Sequence, residues 1–135
     1  MKECCNLICV VDEDRIESNL FLNEREEIYQ IELKMNDSSF SAEGENYFDA
    51  LINLRKKLEL KNIKLLCKGC SKFVYPSPMI LNMGDAIQAY ELVLGEQAHS
   101  KDIVNIFEPC RYDEYATIDE QYAYYEKWIE SRKVR

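Results

Sequence analysis

The sequence predicts an α+β fold, a mostly antiparallel sheet of about five or six strands with two helices packed on one face. Three observations predict it. In "IYQIELKM", Tyr29, Ile31, Leu33 and Met35 point one way and Gln30, Glu32 and Lys34 the other. Such period-two alternation belongs to a strand with one face in the core and one in water. Tyr47, Leu51, Leu54 and Leu58 then recur at helical spacing, with Phe48 and Ile52 widening the stripe. Finally, Thr117-Ile-Asp-Glu120 is a capping box, in which each end's side chain satisfies the other's free amide.

The elements follow in order. Residues 6–11, Asn-Leu-Ile-Cys-Val-Val, are β-prone and read as a first strand. The acidic stretch from Asp12 to Glu27 reads as a connection, loop with some strand. The alternating strand 28–35 ends in Asn36-Asp37-Ser38-Ser39, short polar side chains that bond back to a turning backbone. Phe40 to Glu43 returns as its hairpin partner, closing at Gly44. Asn46 caps a helix that runs to about Leu60 and lies across the hairpin's apolar face. Ile63 to Cys67 is apolar enough for a strand inside the sheet. Lys68 to Asp85 reads as irregular, and Ile87 to Leu94 as another strand stopped by Gly95. Residues 101–107 fit a short strand or one helical turn equally well. The last helix runs from the capping box to about Ser131, with Ile118, Tyr122, Tyr125 and Ile129 as its apolar stripe and Trp128 beside it.

At 135 residues the chain is most economically one domain, with apolar and charged fractions of 47% and 31% that suit a globular protein. No apolar run approaches the ~20 residues that cross a bilayer. Only Leu7 to Val11 precedes the acidic Asp12-Glu13-Asp14, too little for a secretory signal, so the reading is a cytoplasmic chain whose six cysteines stay reduced. The net charge of −8 argues against a dedicated nucleic-acid binder. A basic stripe at 55–72 stands out, seven cations against Glu59 alone, a local +6. An acidic body with one basic stripe suits docking to another protein, although the stripe also fits a solvated face with cations near a helix C-terminus.

Two features hold the candidate chemistry. Cys67-Lys-Gly-Cys70 is half of a zinc knuckle, with Gly69 freeing the turn. A structural zinc site needs four ligands, and only Cys4, Cys5, Cys9, His99 and Cys110 remain to complete it. A redox pair would sit at a strand-to-helix junction, whereas Pro76 and Pro78 follow here, so the residues favour a turn closing a strand. His99 is the only histidine and lies in a polar loop, and no paired carboxylates, phosphate-cradling glycines or nucleophile–base pair complete a catalytic constellation. The other feature is the loop from Val74 to Met83-Gly84 and on to Ala89-Tyr90. Tyr75, Ser77, Met79, Met83 and Tyr90 are candidates to line a pocket or a docking surface, since methionine adapts and tyrosine adds a hydroxyl to a broad face.

The stretch from Cys67 to Pro109 resembles the core of a small uncharacterised bacterial family with a Tyr-Pro-Ser-x-Met loop. Tyr75, Pro76, Ser77, Met79, Met83, Gly84, Ala89, Tyr90, Gly95, Ile103, Val104, Ile106 and Phe107 carry the likeness. It implies no catalytic residue. "YQIELKMNDSSFSAEGENYFDALINLRKKLEL" is similar to the hairpin and helix of HicB-type antitoxins, without their DNA-binding tail, and implies toxin neutralisation. The functional expectation is therefore a non-catalytic cytoplasmic protein-interaction module, immunity- or antitoxin-like, with another protein as partner and neither membrane nor nucleic acid. The alternatives are a zinc-stabilised domain using Cys67 and Cys70, and a small-ligand binder or enzyme with its pocket at residues 75–90. No other cofactor is expected.

Overall fold

A computed structural model of the chain describes residues 2–82 and 84–133. Eight strands among them lie in two antiparallel sheets. The larger sheet has the order β4-β3-β2-β1-β5, from β1 (Lys2–Val11), β2 (Asp14–Arg25), β3 (Ile28–Met35), β4 (Ser38–Gly44) and β5 (Ile63–Leu66). The smaller, order β6-β7-β8, is made by β6 (Val74–Tyr75), β7 (Gln88–Glu91) and β8 (Ile103–Asn105). Helix α1 (Tyr47–Leu60) packs on the large sheet, while α3 (Ile118–Lys133) packs against β6 and α1, with a single-turn α2 (Pro78–Asn82) between β6 and β7. The fold is α+β.

The predicted ribbon-and-helix unit is present. Ile31, Leu33 and Met35 of β3 and Ala42 of β4 are buried in one cluster with Leu51, Leu54 and Leu58 of α1. Each such leucine, taken out of water, contributes on the order of 2 kcal/mol. Asn46 caps α1 by accepting the Asp49 N–H at 2.7 Å, and Asn62, left-handed at φ 57°, ends it. Side chains of α1 also cover the free edge of β4: Asn53 Nδ2 donates to Glu43 O at 2.8 Å and Lys57 Nζ to Ser41 O at 2.5 Å. Carbonyls that would otherwise invite another strand are thereby occupied.

The segment 12–27 differs from its expectation as a mostly irregular connection. It supplies β2, a twelve-residue central strand paired with β1 along one side and β3 along the other. Leu20 and Leu22 point into the core and Glu17, Asn19 and Asn23 out. Ser18 also points in, where its hydroxyl donates to Leu7 O at 2.8 Å and accepts from the Cys9 thiol at 3.5 Å. A polar residue on the inner face interrupts the apolar period without costing the core a lost partner. Other boundaries also shift. The 87–94 strand is the shorter β7, 101–107 holds both a 3-10 turn (Ser100–Asp102) and β8, and the irregular 68–85 contains a 3-10 turn (Lys68–Cys70), β6 and α2.

The turns at both ends of β2 use left-handed backbone without glycine. Asp12 and Glu13 have φ of 49° and 71°, and Glu26 and Glu27 of 53° and 65°. Two successive positive φ values are the geometry of a type I′ hairpin, which Asn-Gly adopts most readily. A side chain in that region costs roughly 1–2 kcal/mol. Replacing Glu26→Asn together with Glu27→Gly is therefore expected to raise stability by about 1 kcal/mol in urea unfolding, and an unchanged or lower midpoint would contradict this turn geometry.

Candidate functional site

A groove of about 460 Å³ lies between the loop after β6 and the inner face of α3. Tyr75, Ser77, Met79 and Tyr90, singled out from the sequence, all line it. Met83 falls outside the described residues. The second wall comes from α3, as Tyr125, Trp128, Ile129 and Arg132. These positions follow helical spacing and so share a face. The sequence reading assigned Tyr122, Tyr125 and Ile129 to a core stripe. Among the described residues only Gln121 and Trp128 of α3 are buried, and Tyr122 is 48% exposed. Tyr125 and Ile129 form a wall of the groove rather than a buried seam, and Tyr122 lies outside its lining.

The groove is built before anything binds. Tyr75 stacks on Tyr125 with ring centroids 4.2 Å apart and planes 17° from parallel, and meets Phe48 of α1 edge-on at 5.2 Å. Tyr125 in turn stacks on Trp128 at 6.2 Å, and the Arg132 guanidinium lies over the Trp128 ring at 4.8 Å. Three hydrogen bonds fasten α3 to the chain just past β7. The Tyr124 hydroxyl donates to Leu92 O at 3.1 Å, Trp128 Nε1 to Glu96 O at 2.9 Å, and Gly95 N to Ser131 Oγ at 2.8 Å. On the opposite wall, Ser77 caps the short α2 by accepting the Ile80 N–H at 3.1 Å, and Pro78 begins it, where its missing N–H costs nothing. Burial pushes the Tyr75 and Tyr125 phenols above their ordinary value, so both stay neutral hydroxyls. Met79 at the mouth is 68% exposed, and Val93 and Leu94 beyond β7 are exposed as well.

Behind the groove lies a buried polar hub that sequence reasoning missed. Arg55, read as one member of the basic stripe, is 1% exposed. Its Nη1 donates to Gln121 Oε1 at 2.6 Å and Gly69 O at 3.2 Å, and its Nη2 to Ala116 O at 2.8 Å. Gln121 Nε2 sits 2.8–3.0 Å from the carbonyls of Gly69, Ser71 and Val74. Two N–H groups serving three oxygens means that at least one bond is shared. The hub joins α1, the 3-10 turn, β6 and α3, and so fixes Tyr75 against Tyr125. The rest of the stripe is dispersed rather than one free face. Lys68 pairs with Glu91 at 3.0 Å and Glu114 at 3.6 Å, and Lys64 Nζ donates to the Tyr112 hydroxyl at 3.2 Å.

Cys67 and Cys70 are fully buried beside this hub, with their sulfurs 3.7 Å apart, and do not line the groove. Gly69 is needed here for space, not for a left-handed backbone. A Cβ on it would collide with Leu51 and stand 3.1 Å from Ile106 Cβ. Strand β1 does lie beside β5, as a complete zinc site would require, but the Cys9 thiol is spent on Ser18 and Cys4 is exposed. Among the described residues, no three of His, Cys, Asp or Glu converge as metal ligands would. His99 donates its backbone N–H to Asp102 Oδ2 at 2.9 Å in an exposed turn and meets no nucleophile among its hydrogen bonds. No helix is long and apolar enough to cross a membrane among the described residues. Compared with known proteins, the chain matches no family model and no curated protein at a significant level.

Gln121→Leu keeps the volume of the side chain but strips hydrogen bonds from Arg55 and three carbonyls. Stability in urea should fall by about 3 kcal/mol. A loss below about 1 kcal/mol would mean the hub is incidental.

Proposed function

We propose that the protein is a non-catalytic interaction module, immunity- or antitoxin-like, that docks a partner protein in the groove between the Tyr75–Met79 loop and α3. The observation that carries this reading is the preassembled aromatic wall with an exposed apolar rim. Rings already stacked on one another lose little freedom when a partner covers them, which favours tight association. The polar groups lining the groove also favour binding over chemistry. They are phenols, an amide, a hydroxyl and one guanidinium, all suited to hydrogen bonding, with no carboxylate or imidazole among the described lining residues. The overall charge of −8 adds steering toward a basic partner surface around the apolar contact.

A second reading, a pocket for a small planar molecule, is favoured by the groove's volume. It falls within the ~300–1,000 Å³ typical of ligand sites, and the Arg132 guanidinium at one end suits an anionic substituent.

One experiment separates the two. The tagged protein is recovered from its native host alongside Tyr125→Ala and Met79→Ser variants, with Glu17→Gln on the far sheet face as a control. A stoichiometric protein should accompany the wild type and the control, and each groove variant should lose tenfold or more of it, as truncated interface anchors do. Recovery unaffected by either groove variant would contradict the docking site. A lone protein stabilised by a planar acid in a thermal-shift panel would replace the partner reading with the second one.

A further inference from the structure

Arg55 is a buried cation without a carboxylate. None of the ion pairs among the described residues includes it. Its hydrogen bonds all end on neutral oxygens, and Nε has no partner at all. Glu59, one helical turn further along α1, accepts the Ile118 N–H at 2.8 Å instead. A full charge held in the interior without an anion is costly enough that one is to be expected nearby. Arg55 bonds Gly69 O directly, and the next residue is Cys70, whose sulfur lies 3.7 Å from that of Cys67.

We infer that Cys67 and Cys70 form a peroxide-oxidisable dithiol, and that closing it to a disulfide removes an ionisable group from beside the unbalanced charge of Arg55. Three of the other four thiols are poorer nucleophiles. Burial pushes Cys5 and Cys9 up, and Cys110 up to about 12, so these stay protonated and poorly nucleophilic. The hydrogen bond to Cys70 and burial likewise raise Cys67. For Cys70, burial acts in the same direction, but the hydrogen bond from Cys67 and the charge of Arg55 outweigh it and hold the thiol below its ordinary value. Of two sulfurs already in contact at 3.7 Å, Cys70 is thus the one that ionises first. That is the arrangement of an attacking and a resolving cysteine.

The chemistry balances with a hydroperoxide as oxidant. The Cys70 thiolate attacks the terminal peroxide oxygen, forming an S–O bond and breaking O–O, and the departing alkoxide or hydroxide takes up a proton. The Cys67 sulfur then attacks the sulfenic sulfur, forming S–S and breaking S–O, and hydroxide leaves as water with the Cys67 proton. The dithiol gives up two electrons and the peroxide accepts them. Both sulfurs are buried, so a peroxide reaches them in the opening that frees the Lys68–Cys70 turn together with α3. After closure Arg55 keeps only neutral acceptors. Its charge is then left uncompensated in the interior, which destabilises the hub and with it the seat of α3. The inference concerns the thiols and the hub, and stands whatever the groove binds.

The test is stoichiometric hydrogen peroxide on the native chain, followed by rapid alkylation, peptide mapping and thermal unfolding. A Cys4→Ser/Cys5→Ser variant, altered at one exposed and one half-buried thiol, is treated in parallel to isolate the pair. The expected result in both is a chain lighter by two hydrogens, a Cys67–Cys70 disulfide in the map, and a melting temperature several degrees lower that dithiothreitol restores. Two results would overturn the inference. In one, Cys67 and Cys70 both remain alkylatable after unfolding while other cysteines have reacted. In the other, the disulfide forms and the melting temperature holds or rises, as it would if Arg55 needed no anion there.

Discussion

Arg55 is a charge removed from water whose Nη groups are hydrogen-bonded to carbonyl and amide oxygens drawn from distant parts of the chain, and that constraint organises the molecule. Gly69, Ala116 and Gln121 are brought to it from up to 66 residues away. A buried guanidinium tolerates few alternative arrangements, because each lost hydrogen bond leaves an uncompensated donor at a cost of about 1–3 kcal/mol or more. Apolar contacts alone would let α3 slide along α1 at little cost. Directional bonds through Gln121 to Gly69, Ser71 and Val74 remove that freedom and set the register of α3 against β6. Such groups give specificity of arrangement more readily than they give net stability.

The two sheets play different parts. The five-stranded sheet and α1 form a conventional core in which Leu20, Ile31, Leu33, Leu51 and Leu54 meet, with its β4 edge covered by Lys57 and Asn53. The small sheet buries less and instead presents. Strands β6 and β7 hold Tyr75 and Tyr90 at the lip of the groove, and the chain after β7 grips the far half of α3 through Leu92, Gly95 and Glu96. The rigid core thus carries the hub, the hub carries α3, and α3 completes the groove. The paired sulfurs of Cys67 and Cys70 sit at the middle link of that chain, where their oxidation would reach the groove without touching it.

What the sequence disclosed follows the same division. Strand β3, its hairpin partner β4 and helix α1 were legible because inward and outward positions alternate cleanly and Asn46 announces the helix. Strand β2 was hidden by Ser18 on its inner face and by hairpin turns built from Asp12-Glu13 and Glu26-Glu27, which carry charge where glycine or asparagine would signal a turn. Strands β6 and β8, two and three residues long, are too short for any period to register. One wall of the groove was visible in the crowding of Tyr75, Ser77, Met79 and Tyr90 around two prolines. The opposite wall was not, because tyrosines at helical spacing read equally as core. Closer attention to four aromatics among seven residues, Tyr122 to Trp128, was the one signal available. Nothing local distinguishes Arg55 from the lysines that follow it, since its burial is decided by partners 14 to 66 residues away.

Native-state hydrogen exchange in increasing urea tests the central claim most directly. If Arg55 and Gln121 bind α3 to the turn beneath it, the amides of Gly69, Lys72 and Ala116, each bonded to a backbone carbonyl there, should open together with the amides of α3, with one free energy and one urea dependence. If instead α3 exchanged at several kcal/mol below Gly69 and Lys72, as an independently fraying helix does, the hub would not be what holds the groove together.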